Sequence, residues 1–137
     1  MKIFLDANIL VSVLNKEYPL FTYSSRILSL ADQPAFKVYT SPLCLAIAFY
    51  FSEKKSGRKE AKRKINLLCS KINIADITKV AVQQTIENIR VIDFEDGLEY
   101  YTALNEKCVA LITEDVNDFY FSEIEVLTAR QFFEKYT

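Results

Sequence analysis

Short apolar runs alternate along the chain with longer stretches in which apolar residues recur at helical spacing. Ile3–Leu5, Lys37–Thr40, Ile72–Ala75, Val109–Ile112 and Glu125–Leu127 read as strands. Between them, Ala7–Leu14 sets Ile9, Leu10, Val13 and Leu14 on one helical face, and Phe21–Ala31 repeats the pattern until Pro34. Ser41 is placed as an N-cap with Pro42 at the first helical position, which predicts a helix from Pro42 to about Glu53. That helix is apolar on nearly every side (Leu43, Leu45, Ile47, Phe49, Phe51), which predicts deep burial. Gly57 breaks the chain, and further helices are predicted over Arg58–Ser70, Ile77–Asn88, Phe94–Lys107 behind an Asp93 N-cap, and Arg130–Tyr136. Strand–helix alternation of this kind predicts an α/β fold, a three-layer α/β/α sandwich around a central, mainly parallel sheet of about five strands.

Composition narrows this picture. A chain of 137 residues fits one domain spanning 1–137, and with half of it hydrophobic, including ten Phe and eight Tyr, it has a substantial core and is not disordered. There is no internal repeat, low-complexity tract or linker, and two Gly with three Pro leave little room for long loops. A formal net charge of -1 excludes polyanion binding by bulk electrostatics, so a nucleic acid must meet a local patch. The three cysteines, Cys44, Cys69 and Cys108, are far apart, and no His is present, which excludes a zinc site of the usual nitrogen–sulfur kind. They read as small buried hydrophobes in a reducing compartment. Asp6 interrupts the first apolar run too early for a signal peptide, and no stretch approaches the roughly 20 apolar residues of a membrane span. The expectation is a soluble, cytoplasmic protein.

The chemistry lies in four aspartates. Asp6 closes the first apolar run, Asp96 sits in the first turn of a helix, Asp115 follows Val109–Thr113, and Asp118 stands one turn later. Parallel strands would gather Asp6 and Asp115 at one rim of the sheet, where open α/β sheets bind ligands. Converging carboxylates suit a hard divalent cation, Mg²⁺ or Mn²⁺, and metal-assisted chemistry on a phosphate. Thr113 and Asn117 are placed to orient carboxylates or a bound water. Taken singly each Asp is a cap; taken together they form a candidate site.

The segments Phe4-Leu5-Asp6-Ala7-Asn8-Ile9-Leu10, Asp93-Phe94-Glu95-Asp96-Gly97-Leu98 and Leu111-Ile112-Thr113-Glu114-Asp115-Val116-Asn117-Asp118-Phe119 resemble the acidic quartet of PIN-domain proteins, in family order and spacing. The resemblance runs nearly end to end. It implies a metal-dependent endoribonuclease similar to the VapC-type toxins of bacterial toxin–antitoxin pairs, with Asp6, Asp96, Asp115 and Asp118 as catalytic and metal-holding residues and Asn8 and Thr113 in support. It further implies RNA as substrate, one or two Mg²⁺ or Mn²⁺ ions, a small antitoxin partner and a homodimer. Two positions depart from the family pattern. In Ser41-Pro42-Leu43-Cys44-Leu45-Ala46-Ile47, Ile47 stands where relatives carry Glu, and Glu114 stands where many carry Arg or Lys. Glu99, one turn beyond Asp96, either compensates as a supporting carboxylate or is a solvated helix residue. Two functions therefore stay open: a nuclease weakened by loss of one site Glu, or a degenerate PIN domain that binds RNA or protein without cutting.

Lys54, Lys55, Arg58, Lys59, Lys62, Arg63 and Lys64 concentrate basic charge around Gly57. Lys55, Arg58, Lys59, Lys62 and Arg63 are the candidates for RNA backbone contact, against the alternative of a solvated face paired with Glu53 and Glu60. The clustered aromatics Tyr18, Phe21 and Tyr23, and Phe119, Tyr120 and Phe121, are expected mostly in the core. A receiver-like domain would want paired acids at the first strand and a Lys after the last. A dehalogenase-like phosphatase would want a second acid where Asn8 stands. Neither pattern is met.

Overall fold

Five strands form one sheet in the order β3-β2-β1-β4-β5, and each of the four pairings is parallel. In this computed structural model, which describes residues 1–137, they are β1 (Lys2–Leu5), β2 (Lys37–Thr40), β3 (Asn73–Ile74), β4 (Ala110–Ile112) and β5 (Glu125–Leu127). Seven α-helices flank the sheet: α1 (Ala7–Leu14), α2 (Phe21–Ser29), α3 (Pro42–Ser56), α4 (Arg58–Lys71), α5 (Lys79–Glu87), α6 (Phe94–Asn105) and α7 (Ala129–Tyr136). The predicted strands and helices are all present, with ends moved by a few residues. Phe21–Ala31 divides into α2 and a short 3₁₀ turn at Leu30–Asp32. Ile77–Asn88 contracts to α5 because Thr78 accepts from Ala81 N and caps the helix there.

The sheet grows outward from β1, first to β2 and β3 and then across to β4 and β5. Right-handed parallel crossovers place successive connections on opposite faces once the order reverses. Accordingly α1 packs on α2 and α3, α3 on α4, and α7 on α2, while α5 and α6 pack as a separate pair. Ile3, Phe4, Leu5, Leu111 and Ile112 are fully buried, so both central strands are covered on both sides. The reversal between β1 and β4 is a topological switch point, the place where such folds open a ligand crevice.

One prediction about α3 is corrected. Its apolar residues face every direction, yet only Cys44, Ala48 and Ser52 are buried, at the four-residue spacing of a single stripe. Tyr50 and Phe51 are exposed, and Ile47 is half-buried. One stripe suffices because α3 is covered by α1 and α4 rather than enclosed. Among the clustered aromatics, Phe119 and Phe121 are core, while Tyr18 and Tyr120 are exposed.

Gly97, which follows Asp96 in α6, fixes the separation of α6 from α5. A Cβ there would lie 2.5 Å from Thr85 Cγ2 and 2.8 Å from Val91 Cγ1, both atoms of stiff, branched side chains. Gly97→Ala is therefore expected to destabilise the protein by about 1–2 kcal/mol, the overpacking outweighing the helix-propensity gain of about 1 kcal/mol. A urea titration checks this; an unchanged or raised midpoint would mean that α5 yields freely.

Candidate metal centre at the carboxyl rim of the sheet

The end of β1 and the end of β4 are joined by a hydrogen-bond network that Asp6, Asn8, Thr113 and Asp115 build together. In-register pairing of Leu5 with Ile112 brings the next residues, Asp6 and Thr113, side by side, and Asp6 N donates to Ile112 O at 3.0 Å. Asp6 caps α1, its Oδ1 accepting from Ala7 N at 2.6 Å. Thr113 Oγ1 donates to Asp6 Oδ2 at 2.8 Å and accepts from Asp115 N at 3.1 Å. Asn8 Nδ2 reaches Thr113 Oγ1 at 3.0 Å, Asp115 Oδ2 at 3.2 Å and Asp6 Oδ2 at 3.5 Å, while its Oδ1 accepts from Glu114 N at 3.2 Å. Asn8 Nδ2 thus bonds both carboxylates, and Thr113 Oγ1 bonds that of Asp6. No hydrogen bond joins Asn117 to a carboxylate.

Asp96 arrives from the opposite side. Asp93 caps α6 by accepting from Asp96 N at 3.1 Å, which sets Asp96 in the first turn. Asp6, Asp96, Glu99 and Asp115 share a cavity of about 440 Å³ with Glu17, Glu95 and Glu114, and no Lys or Arg lines it. Burial, then the charges of Asp93, Asp6, Asp118 and Asp115, push the Asp96 carboxyl up to about 7. Carboxylates this close repel unless a cation stands among them.

Asp118 is set differently from the other three. It lies on a 3₁₀ turn, Val116–Phe119, exposed, and lines a neighbouring cavity with Ile92, Asp93, Asp96, Asn117 and Tyr120. Its link to the centre is Asp96, which touches both cavities. Asp115 and Asp118 are nevertheless held in one tight turn, Asp118 N donating to Asp115 O at 3.0 Å.

Glu99 is not a solvated helix residue: it is 3% exposed and forms part of the cavity lining. Burial first, then hydrogen bonding to Asp6 and the Asp6 charge, raise its carboxyl to about 11. Its Oε2 is buried without a hydrogen-bond partner. Cys44 lies against it, fully buried, and its thiol is pushed well above the usual range by burial and then by the charges of Glu99 and Asp6. As a small buried hydrophobe by composition, Cys44 did not stand out as a site residue. The signal was its spacing, three residues before Ile47 and therefore on the same helical face. Ile47 itself lines the cavity, apolar where a carboxylate was expected. Glu114, which also lines the cavity, has its Oε2 accepting from Ala129 N at 3.1 Å at the start of α7.

The basic stretch is mostly committed to internal partners. Arg58 pairs with Glu53 at 3.5 Å, Arg63 Nε donates to both Glu60 carboxylate oxygens at 3.0 Å, and Lys55 donates to the Asn15 carbonyl. Lys64 donates to Leu14 O at 3.0 Å. Lys59 and Lys62 are exposed and form no ion pair. None of the five candidate RNA contacts lines the acidic cavity.

The class is a parallel α/β sheet with carboxylates gathered at the rim of its switch point. Within that class, a model of the PIN domain matches residues 2–117, and the chain belongs to the PIN-domain family. It is 28% identical over 144 residues to Ribonuclease VapC1 of Aquifex aeolicus, covering 98% of this chain and 95% of that protein. Among solved structures, it superposes on VapBC2 from Rickettsia felis bound to a DNA fragment from its promoter with a TM-score of 0.72 and 22% identity, covering 93% of this chain and 97% of the other. A toxin–antitoxin complex from Klebsiella pneumoniae gives a TM-score of 0.69 at 18% identity, with the same 93% and 97% coverage. No helix is long and apolar enough to cross a membrane.

Proposed function

We propose that the protein is a divalent-cation-dependent endoribonuclease of the VapC toxin kind, hydrolysing RNA phosphodiester bonds. The observation that carries this reading is the convergence of Asp6, Asp96 and Asp115 around one cavity free of basic side chains. That donor set, all carboxylate oxygen with Thr113 and Asn8 orienting it, fits Mg²⁺ or Mn²⁺. Asp6, Asp96 and Asp115 would hold the ion, with Asp118 acting on the outer side of Asp96. Such an ion supplies water activation and neutralises charge developing on the phosphoryl oxygens. The chain's own residues do the rest. Asn8 and Thr113 keep Asp6 and Asp115 in one orientation, so the carboxylates need not reorganise when RNA enters. Phe51 and Leu20 give the cavity an apolar wall suited to a base or ribose face.

RNA approaches an acidic cavity on a near-neutral protein, so backbone contacts must come from outside it. Lys59 and Lys62 are the unpaired cations of α4. Reversing both, Lys59→Glu with Lys62→Glu, is expected to weaken RNA binding by about tenfold at low salt and to reduce the salt slope by about two contacts, with stability unchanged. Fluorescence anisotropy across a salt series checks this; an unchanged slope would place the RNA path elsewhere.

The relatives support a small antitoxin as partner, and the exposed Tyr50 and Phe51 beside the cavity are where its chain would both bind and block access. A homodimer is part of the same reading, and Ile86, Ile89 and Ile92, each exposed within one short stretch of chain, are candidates for its apolar contacts. The three free cysteines suit a reducing cytoplasm.

Ile47 favours one second reading, a PIN domain that binds RNA or protein without cutting. Purified protein tested on structured RNA with Mn²⁺ or Mg²⁺, against EDTA, separates the two.

A further inference from the structure

Cys44 and Glu99 meet Asp6 in a buried position at the wall of the acidic cavity, and the ribonuclease reading requires neither of them. The three residues are 0%, 3% and 7% exposed respectively. Their ligand atoms, the Cys44 Sγ and one carboxylate oxygen each from Asp6 and Glu99, lie within 4.8 Å of one another. Glu99 Oε2 is sealed from solvent and no donor reaches it, and the carboxyl's hydrogen-bonding neighbours are the other two members of the group, Asp6 and Cys44. Ile47 stands one turn along α3 from Cys44 and lines the same cavity as Glu99, so the acid missing on α3 and the acid present on α6 border one space.

We propose that Glu99 supplies from α6 the carboxylate that Ile47 withholds on α3, and that with Asp6 and Cys44 Sγ it forms a mixed oxygen–sulfur cation position selective for Zn²⁺ or Cd²⁺ over Mg²⁺. It shares Asp6 with the proposed Mg²⁺ or Mn²⁺ centre and to that extent rests on that reading. A thiolate donor disfavours hard Mg²⁺ and favours borderline and soft cations. Zinc–sulfur and zinc–oxygen distances of about 2.3 and 2.1 Å require only a small inward rotation of side chains already this close. On entry the cation displaces the Cys44 and Glu99 protons to solvent, since the ligands bind deprotonated. A cation held there draws on Asp6, so Zn²⁺ is an inhibitor of Mg²⁺-supported cleavage.

The test uses the full chain in a Cys69→Ser background, which removes the part-exposed thiol. The metal-free protein is titrated with CdCl₂, ZnCl₂ and MgCl₂ by calorimetry, with ultraviolet detection of the cadmium–thiolate charge-transfer band. The expected result is one Cd²⁺ per chain with a thiolate band, bound at least about tenfold more tightly than Mg²⁺. Cys44→Ala, and Cys44→Val as a space-filling second variant, should abolish the band. Glu99→Gln should weaken Cd²⁺ binding by at least about tenfold. A missing band in the parent protein, or a band kept in either folded Cys44 variant, would overturn the proposal. Cd²⁺ binding without any Mg²⁺- or Mn²⁺-dependent cleavage would uphold this position and remove the ribonuclease; cleavage with no Cd²⁺ binding would do the reverse.

Discussion

Asp6→Asn and Asp115→Asn are each expected to lower Mg²⁺- or Mn²⁺-dependent RNA cleavage by at least about 100-fold while leaving the fold intact. Each removes a charged donor from a cavity that holds no basic side chain to stand in for it. The fold tolerates the change because Asn caps a helix as well as Asp does, so the bond from Ala7 N to residue 6 is kept. At position 115 an amide oxygen still accepts from Asn8 Nδ2; at position 6 the amide keeps the cap but loses the second acceptor that Thr113 Oγ1 uses, a cost offset by neutralising one member of a repelling group. Cleavage assays with circular dichroism on the same samples check both halves. Activity within threefold or so of the parent in both variants would show that the carboxylates do not hold the working ion.

The second large effect is on stability, and its sign follows from Glu99. Its carboxyl is raised from 4.5 to about 11 in the folded, metal-free protein, chiefly by burial and then by Asp6. Between those values the native state holds a proton that the unfolded chain has released, so stability falls as pH rises. One proton corresponds to a slope of about 1.4 kcal/mol per pH unit across the neutral range. Asp96, raised from 3.8 to about 7, adds to the same slope below neutrality. Urea denaturation in EDTA at a series of pH values should therefore show a metal-free protein that weakens toward alkaline pH. Glu99→Gln should remove most of that slope, being isosteric and unable to ionise. A divalent cation should reverse the trend, because it binds the deprotonated carboxylates. A pH-independent parent would mean that Glu99 reaches solvent.

Much of this was legible in the sequence because local rules and the global fold agree. Asp6 is marked as a rim residue by the strand before it and the helix after it, and the structure adds that it is also that helix's cap. Asp93 and Ser41 announce their helices in the same way. The neighbouring placement of Asp6 and Thr113 needed only the assumption that β1 and β4 are adjacent and parallel. What was not legible depends on which side of a helix meets which neighbour. Glu99 stands one turn from Asp96, a spacing that left a supporting carboxylate and a solvated residue both open, and only the packing of α6 shows that it is buried. On α3 the apolar residues point in all directions, so periodicity could not tell the single buried stripe from Tyr50 and Phe51 at the surface. The separation of Asp118 from the Asp6 cavity arises from a 3₁₀ turn that a short polar segment does not advertise. In the basic stretch, pairing with Glu53 and Glu60 was legible as one of two alternatives, and Arg58 and Arg63 adopt it, whereas the carbonyl partners of Lys55 and Lys64 on Asn15 and Leu14 come from packing that the sequence does not show.

The carboxylate rim is proposed to work as a cation-dependent nuclease although Ile47 replaces an acid. The most direct test is cleavage of a panel of structured RNAs by purified, antitoxin-free protein stripped of metal and then resupplied with Mn²⁺ or Mg²⁺. Cutting is expected to appear with the cation, disappear in EDTA and be absent from Asp6→Asn. Folded protein that cuts no RNA with either cation, or that cuts equally well in EDTA, would contradict it.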